Sequence, residues 1–125
     1  MNLQTGQKPV EAVGLWLIKL FTGALVIIVL TVHFLVNHAL APNGLLSYTE
    51  VVKYYQNPII PIMEAIFLIV VVSHSLLGLR GILLDLNPSR SVLRILDAVL
   101  VIVGVVAVVY GIWLLGAVVA QGLKV

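Results

Sequence analysis

Residues 98–120 read AVLVIVGVVAVVYGIWLLGAVVA, and no charged side chain interrupts them. A helix needs about 20 such residues to cross the ~30 Å hydrocarbon core of a bilayer. Two similar runs precede this one, so we expect three spans, at about residues 15–36, 60–84 and 94–120. Backbone polar groups in lipid must be satisfied within one segment, so the spans are predicted to be helices. Residues 1–125 then form a single transmembrane domain of the all-α class.

The composition excludes an ordinary soluble domain. Hydrophobic residues make up 62% of the chain and charged residues 10%, whereas a soluble domain carries roughly 25% charged residues. The net charge of +2 is too small to indicate nucleic-acid binding. Cysteine is absent, which excludes disulfides, iron–sulfur ligation and thiolate-bound metal in this chain.

The loop between the first two spans contains a short amphipathic segment. Residues 45–55 place Leu45, Tyr48 and Val52 on one helical face, with polar residues elsewhere. This pattern predicts a short helix that lies in the membrane interface.

Positive charges are distributed unequally between the two ends of the predicted bundle. Five lie on the side of the N-terminus and two on the opposite side. The first group is Lys8, Lys19, Arg80, Arg90 and Arg94, and the second is Lys53 and Lys124. Because cytoplasmic flanks carry the excess of Lys and Arg, the N-terminus is predicted in the cytoplasm and the C-terminus outside. The chain is then a multi-pass protein of the cell's inner (plasma) membrane.

Polar residues at membrane depth are functional candidates, because lipid makes them costly. At 100° per residue, His74, Gly78, Gly81 and Asp85 lie on one stripe of the second span. Two glycines on the face of a buried histidine leave room for a broad group, such as a haem with His74 as its axial ligand. The alternative is a close contact between helices at the same glycines.

A second histidine, His33, lies near the outer end of the first span. The rise per residue puts His33 about 5 Å and His74 about 20 Å below the outer surface. The two axial nitrogens of one haem are only ~4 Å apart. If both histidines bind iron, they therefore serve two haems, each completed by another chain. Otherwise His33 is a boundary residue that reaches the interface, and His38 is a solvated loop residue.

The cytoplasmic end of the first two spans groups Lys19, Thr22 and Asp85. A cation, a hydroxyl and a carboxylate there can hydrogen-bond and protonate a quinone, although Lys19 can also simply reach the interface. Arg80 lies off the His74 stripe and can pair with a lipid phosphate or a haem propionate. Glu64 is interpreted as an anion at a helix N-terminus.

The third span has no charged residue between Asp97 and Lys124 and is interpreted as structural. Its small residues form a face suited to close helix packing. These residues are Gly104, Ala107, Gly111 and Gly116.

Residues 73–85, SHSLLGLRGILLD, resemble the H-x-x-x-G-[LI]-R-x-x-x-x-D signature in the small membrane-anchor subunits of succinate dehydrogenase and fumarate reductase. Residues 16–23, WLIKLFTG, are similar to the start of the family's first helix. His33 follows this segment, as the family's first-helix histidine does. Two positions depart from the family pattern: Lys19 stands where many members have Arg, and Leu86 where many have a Tyr.

The resemblance implies a haem b-binding anchor of a succinate:quinone oxidoreductase, of the D-type of its two anchor chains. His74, Gly78 and Arg80 fall in the haem-binding signature, and in di-haem members the first helix supplies a second axial ligand, here His33. Electrons pass from an iron–sulfur subunit to quinone at the cytoplasmic side. The implied partners are that subunit, a flavoprotein subunit, a second membrane-anchor subunit and the lipid membrane. The one or two haems are shared with the second anchor.

Two other interpretations are open. One is a purely structural, haem-free anchor of the same complex. The other is a small membrane transporter subunit. Such a transporter needs a carboxylate near the middle of a span, and the acidic residues of the spans here all lie at their ends, which argues against this interpretation.

Overall fold

A computed structural model describes residues 13–39 and 44–123 and is all-α in class. Its helices are α1 (Val13–Phe34), α2 (Tyr48–Tyr54), α3 (Ile59–Asp85) and α4 (Arg90–Gly122). By length and composition, α1, α3 and α4 can each cross a membrane, and α2 is the short helix expected between the first two spans. The predicted fold class is therefore confirmed. Lys8 and Lys124, used above to predict the orientation, lie outside the described residues.

Local side-chain hydrogen bonds fix where α2 and α4 begin. The Ser47 hydroxyl accepts the Glu50 N–H at 3.4 Å, and the Ser47 N–H donates to the Glu50 carboxylate at 2.7 Å. This reciprocal cap satisfies two donors at the start of α2 and lowers the pKa of Glu50 below its usual value. Ser89 caps α4 by accepting the Val92 N–H at 3.4 Å.

The ends of α1 and α3 differ in their geometry. After Phe34 the chain continues as a π-helical turn, Leu35–Ala39, where the exposed His38 ring stacks on Phe34 with centroids 4.7 Å apart. After α3, Asn87 adopts a positive φ of 53°. Asn tolerates this left-handed conformation, which ends the helix and turns the chain toward α4.

The helix α3 is central, with α1 packed along one side and α4 along another. Contacts with α4 involve two of the small residues predicted for this purpose. A Cβ added at Gly104 would lie 2.7 Å from Leu76 Cδ1, and one added at Gly111 would overlap Leu68. Gly116, by contrast, has nothing within 4 Å of that position. The packing role is thus confirmed for Gly104 and Gly111 but not for Gly116.

The bundle has two distinguishable ends. At one end of the bundle, which we call the Lys19 end, α1 begins, α3 ends and α4 begins. We call the opposite end the Glu64 end. There the Tyr48 hydroxyl donates to the Gln121 side chain, and the Gln56 amide donates to the Val119 carbonyl at 3.4 Å. These bonds dock α2 and its following turn onto the last residues of α4.

The described part of the chain has almost no interior of its own. Val52, at 8% exposure, is the one buried side chain among the described residues. Apolar side chains along α1, α3 and α4 are exposed or half-buried. Exposed apolar surface of this extent marks a membrane or interaction surface, and lipid is its natural cover along helices long enough to span a bilayer. The chain is a multi-pass membrane protein.

Candidate functional site

The predicted stripe of α3 faces α1. A Cβ added at Gly23 of α1 would lie 2.9 Å from Cε1 of His74. A Cβ added at Gly81 would lie 3.1 Å from Nζ of Lys19. The two backbones therefore approach closely along this seam, with His74 and Gly81 both turned toward α1.

His74 is half-buried, about midway along α3, and hydrogen-bonds to α1. Its Nδ1 lies 3.1 Å from Oγ1 of Thr22, whose hydroxyl is also 2.7 Å from the carbonyl oxygen of Ile18. One turn along the same stripe, a Cβ at Gly78 would meet nothing within 4 Å. The seam thus combines a held imidazole with open space beside it.

His33 faces a carboxylate rather than only the interface. Its Nδ1 is 3.7 Å from Oε1 of Glu64, whose side chain is 11% exposed against 37% for His33. The His33 ring also lies 6.3 Å from the Phe67 ring, centroid to centroid. A cavity of about 140 Å³ adjoins the pair and is lined in part by Tyr54. Glu64, interpreted above as a helix-terminal anion, therefore has a partner across the seam.

The separation of the two histidines follows from both helices independently. Thr22, the partner of His74, precedes His33 by eleven residues on α1, and Glu64, the partner of His33, precedes His74 by ten residues on α3. At 1.5 Å per residue, each helix gives a separation of about 15 Å along the bundle. This geometry agrees with the expectation that His33 and His74 do not share one iron.

Arg80 has a partner that the sequence did not suggest. Its Nε and Nη2 donate to the two carboxylate oxygens of Asp97 in α4, at 2.6 Å and 3.1 Å. Arg80 thus lies off the His74 stripe, as the helical angle predicted, but it joins α3 to α4. Its contact with a haem propionate stays a prediction.

The residues grouped as a quinone pocket divide into two sets. Lys19 of α1 lies beside Gly81 of α3. Gly81 is one helical turn before Asp85, which is exposed at the end of α3. Thr22 instead bonds to His74, deeper in the seam. Lys19 and Asp85 therefore share one end of the seam, while Thr22 belongs to the surroundings of His74.

The donor side chains of the seam suit a haem. Among residues 13–39 and 44–123, no group of three or more His, Asp or Glu side chains could hold a bare metal ion. A haem needs only axial ligands from protein, and His74 beside the open Gly78 position fits one such ligand. His33 lies about 15 Å away along the helices, so a second axial ligand to the same iron would come from another chain.

Comparison with known proteins places this helical anchor in a family. Residues 1–112 match the family described as succinate dehydrogenase/fumarate reductase transmembrane subunit, and the chain belongs to that family. The succinate dehydrogenase hydrophobic membrane anchor subunit of Archaeoglobus fulgidus is 35% identical over 100 residues, which cover 80% of this chain and 85% of that protein. No solved structure gives a significant match. The chain is thus a membrane-anchor subunit of a succinate dehydrogenase or fumarate reductase complex.

Proposed function

We propose that this anchor binds haem b and helps pass electrons from an iron–sulfur subunit to a quinone. The observation that carries the proposal is the position of His74, at mid-span on the α1–α3 seam, with open space beside it at Gly78. A histidine at this depth is expensive in lipid and calls for a function. Membership of the anchor family supports the same assignment.

In this proposal the chain's residues hold the group and shape its surroundings. When bound, a haem b supplies a one-electron carrier inside the membrane. His74 would hold its iron, and Gly78 would leave room for the macrocycle. Arg80 donates two of its N–H groups to Asp97, so a propionate contact would share the guanidinium with that carboxylate. The second anchor chain completes the site from the other side.

Lys19 and Asp85 are the proposed quinone contacts of this chain. Reducing a quinone to a quinol takes two electrons and two protons. The Lys19 ammonium can hydrogen-bond to one carbonyl oxygen of the ring. The exposed Asp85 carboxylate can take up protons from the aqueous side and pass the two required protons on in turn, while the two electrons come from the iron–sulfur subunit. Both side chains lie at the Lys19 end, where a quinone can enter from the bilayer.

Charge supports the orientation and the side on which partners dock. Among the described residues, the Lys19 end carries most of the cations. They are Lys19, Arg80, Arg90 and Arg94, whereas the Glu64 end carries Lys53. The positive-inside rule then places the Lys19 end and the N-terminus in the cytoplasm and the C-terminus outside, in the plasma membrane. The iron–sulfur and flavoprotein subunits dock at the Lys19 end, and the second anchor packs beside this D-type chain.

A second haem, bound through His33, completes the proposal. The Glu64 carboxylate near Nδ1 of His33 can orient that ring, as carboxylates do for metal-bound histidines. If no second haem is present, the same pair simply joins α1 to α3 near the Glu64 end.

A haem-free structural anchor of the same complex is the competing function. The hydrogen bond of His74 to Thr22 is compatible with this function too, because it satisfies one ring nitrogen whether or not iron is bound. The deciding experiment is a reduced-minus-oxidised spectrum of the purified complex, with the ratio of haem to chain. Haem b at one or two per anchor pair supports the proposal. An active complex without a haem signal leaves only the structural anchor.

A further inference from the structure

Thr22 was grouped with the quinone pocket by sequence, but its hydroxyl contacts His74. We propose that Thr22 and Gly23 are positioning residues for His74. Thr22 fixes the ring tautomer that leaves Nε2 free for iron, and Gly23 provides the space that the ring occupies. This inference rests on the proposed function, since it takes His74 as a haem ligand.

The direction of the hydrogen bond follows from the atoms around the Thr22 hydroxyl. Its oxygen lies 2.7 Å from the Ile18 carbonyl oxygen and 3.2 Å from that of Lys19. A carbonyl oxygen only accepts, so the single hydroxyl hydrogen points to the helix backbone. The contact of 3.1 Å with His74 Nδ1 must then be an N–H donated to a lone pair of the Thr22 oxygen.

The tautomer of His74 is fixed as a result. A neutral imidazole with its proton on Nδ1 has its lone pair on Nε2. Within the described ranges, Thr22 is the one hydrogen-bond partner of the His74 ring. Nε2 therefore offers the lone pair that an axial ligand needs, and the bond at Nδ1 holds the ring at one angle. Metal-bound histidines depend on such a partner for both tautomer and orientation.

Gly23, the next residue, is required for a different reason. A Cβ at this position would lie 2.9 Å from Cε1 and 3.5 Å from Nδ1 of the His74 ring. Carbon atoms in van der Waals contact lie about 3.5–4.0 Å apart. The imidazole ring is rigid and hydrogen-bonded to Thr22, so a shift away from an added methyl group would strain that bond. Thr22 and Gly23 thus act together on one imidazole.

The experiment uses the whole complex in native membranes and compares Thr22→Val with Thr22→Ser. Valine keeps the shape of threonine but removes the acceptor at Nδ1. We expect the haem affinity to fall about 10–100-fold, measured by transfer of haem to excess apomyoglobin. The midpoint potential of the haem should also rise, because a ring without this acceptor donates less electron density to ferric iron. Thr22→Ser retains a hydroxyl and should restore both values.

Gly23→Ala tests the space requirement, with Gly14→Ala as its matched control on the same helix. A Cβ at Gly14 would have nothing within 4 Å, so that variant should keep the wild-type affinity and potential. Gly23→Ala should weaken haem binding and shift its spectrum. If Thr22→Val prevents assembly, the comparison of Gly23→Ala with Gly14→Ala still tests the positioning role.

His74→Ala distinguishes failure of the proposed haem site from failure of the positioning role alone. If His74→Ala keeps its full haem complement, the proposed function itself is wrong. If it loses haem while Thr22→Val and Gly23→Ala both match wild type in affinity and potential, only the positioning role is overturned.

Discussion

Arg80 of α3 and Asp97 of α4 form a two-point ion pair, with Nε 2.6 Å from Oδ1 and Nη2 3.1 Å from Oδ2. Such parallel bonds suit the planar guanidinium, which lysine could not reproduce. The side chains are 22% and 40% exposed, respectively, so the pair is partly shielded. It lies at the Lys19 end and fixes α4 against the helix that carries His74.

Asp97→Ala should destabilise the bundle, because it removes both acceptors from a guanidinium that is mostly shielded. Hydrogen bonds to charged groups contribute about 1.5–3 kcal/mol each, and partial exposure puts this loss at the lower end. Thermal unfolding of the detergent-solubilised complex measures it. Arg94→Ala, an exposed change on the same helix, serves as control. Equal stability of the two variants would show that the pair contributes nothing.

The glycines of α4 allow a second test of packing. Gly111→Ala places a methyl group against the Leu68 side chain, whereas Gly116→Ala places one in open space. Overpacking of this kind typically costs about 1–3 kcal/mol, while the Gly116 change should be neutral or slightly stabilising because alanine favours helix. Unfolding midpoints of the two variants in the same detergent should therefore differ. Identical midpoints would mean that α3 and α4 are not packed as described.

The features that could be predicted from the sequence are those that depend on a single helix. Hydropathy defined the spans, and the helical angle put His74 and Gly81 on one stripe and Arg80 off it. The partners Thr22, Glu64 and Asp97 could not be predicted in this way. Which side chains meet depends on the rotation and depth of two helices relative to each other, and neither is encoded within a single span. Thr22 illustrates this, since its depth suits both Lys19 and His74, and its contact with the His74 ring could not be predicted from α1 alone.

Replacing His74 should remove a haem from the complex. His74→Ala eliminates the mid-span ligand, and the other described histidines lie too far along the bundle to replace it. The reduced-minus-oxidised spectrum should lose one haem b component, and assembly should weaken because a bound cofactor stabilises the folded state. His38→Ala alters an exposed histidine and should leave the spectrum unchanged. An unaltered haem content in His74→Ala would contradict the ligand assignment.

Lys19 and Asp85 should affect the quinone reaction alone. Lys19→Ala and Asp85→Asn should each slow quinone reduction, and Asp85→Asn should do so by about 100-fold, the lower end of the range for loss of a proton-transfer group. Succinate oxidation with a soluble dye should be intact, because that reaction uses partner subunits. Lys53→Ala, at the Glu64 end, provides a matched charge removal without effect on either rate. A parallel fall in dye and quinone rates would make the two residues structural.

His33 distinguishes a complex with two haems from one with a single haem. If a second haem is present, His33→Ala should remove one of two spectroscopic components and halve the haem-to-chain ratio. Electron transfer to a quinone at the Lys19 end should continue, because His74 lies about 15 Å away along the helices and keeps its own partner.

Glu64→Gln makes the test sharper, because it leaves His33 in place and changes only the group near its Nδ1. A ligand deprived of its carboxylate donates less electron density, so the potential of the outer component should rise while the His74 component stays fixed. Wild-type complex with a single haem per anchor pair, and no spectral change in either variant, would rule out iron at His33. The His33–Glu64 contact would then serve only to join α1 and α3, and both variants would lower the unfolding temperature without changing the spectrum.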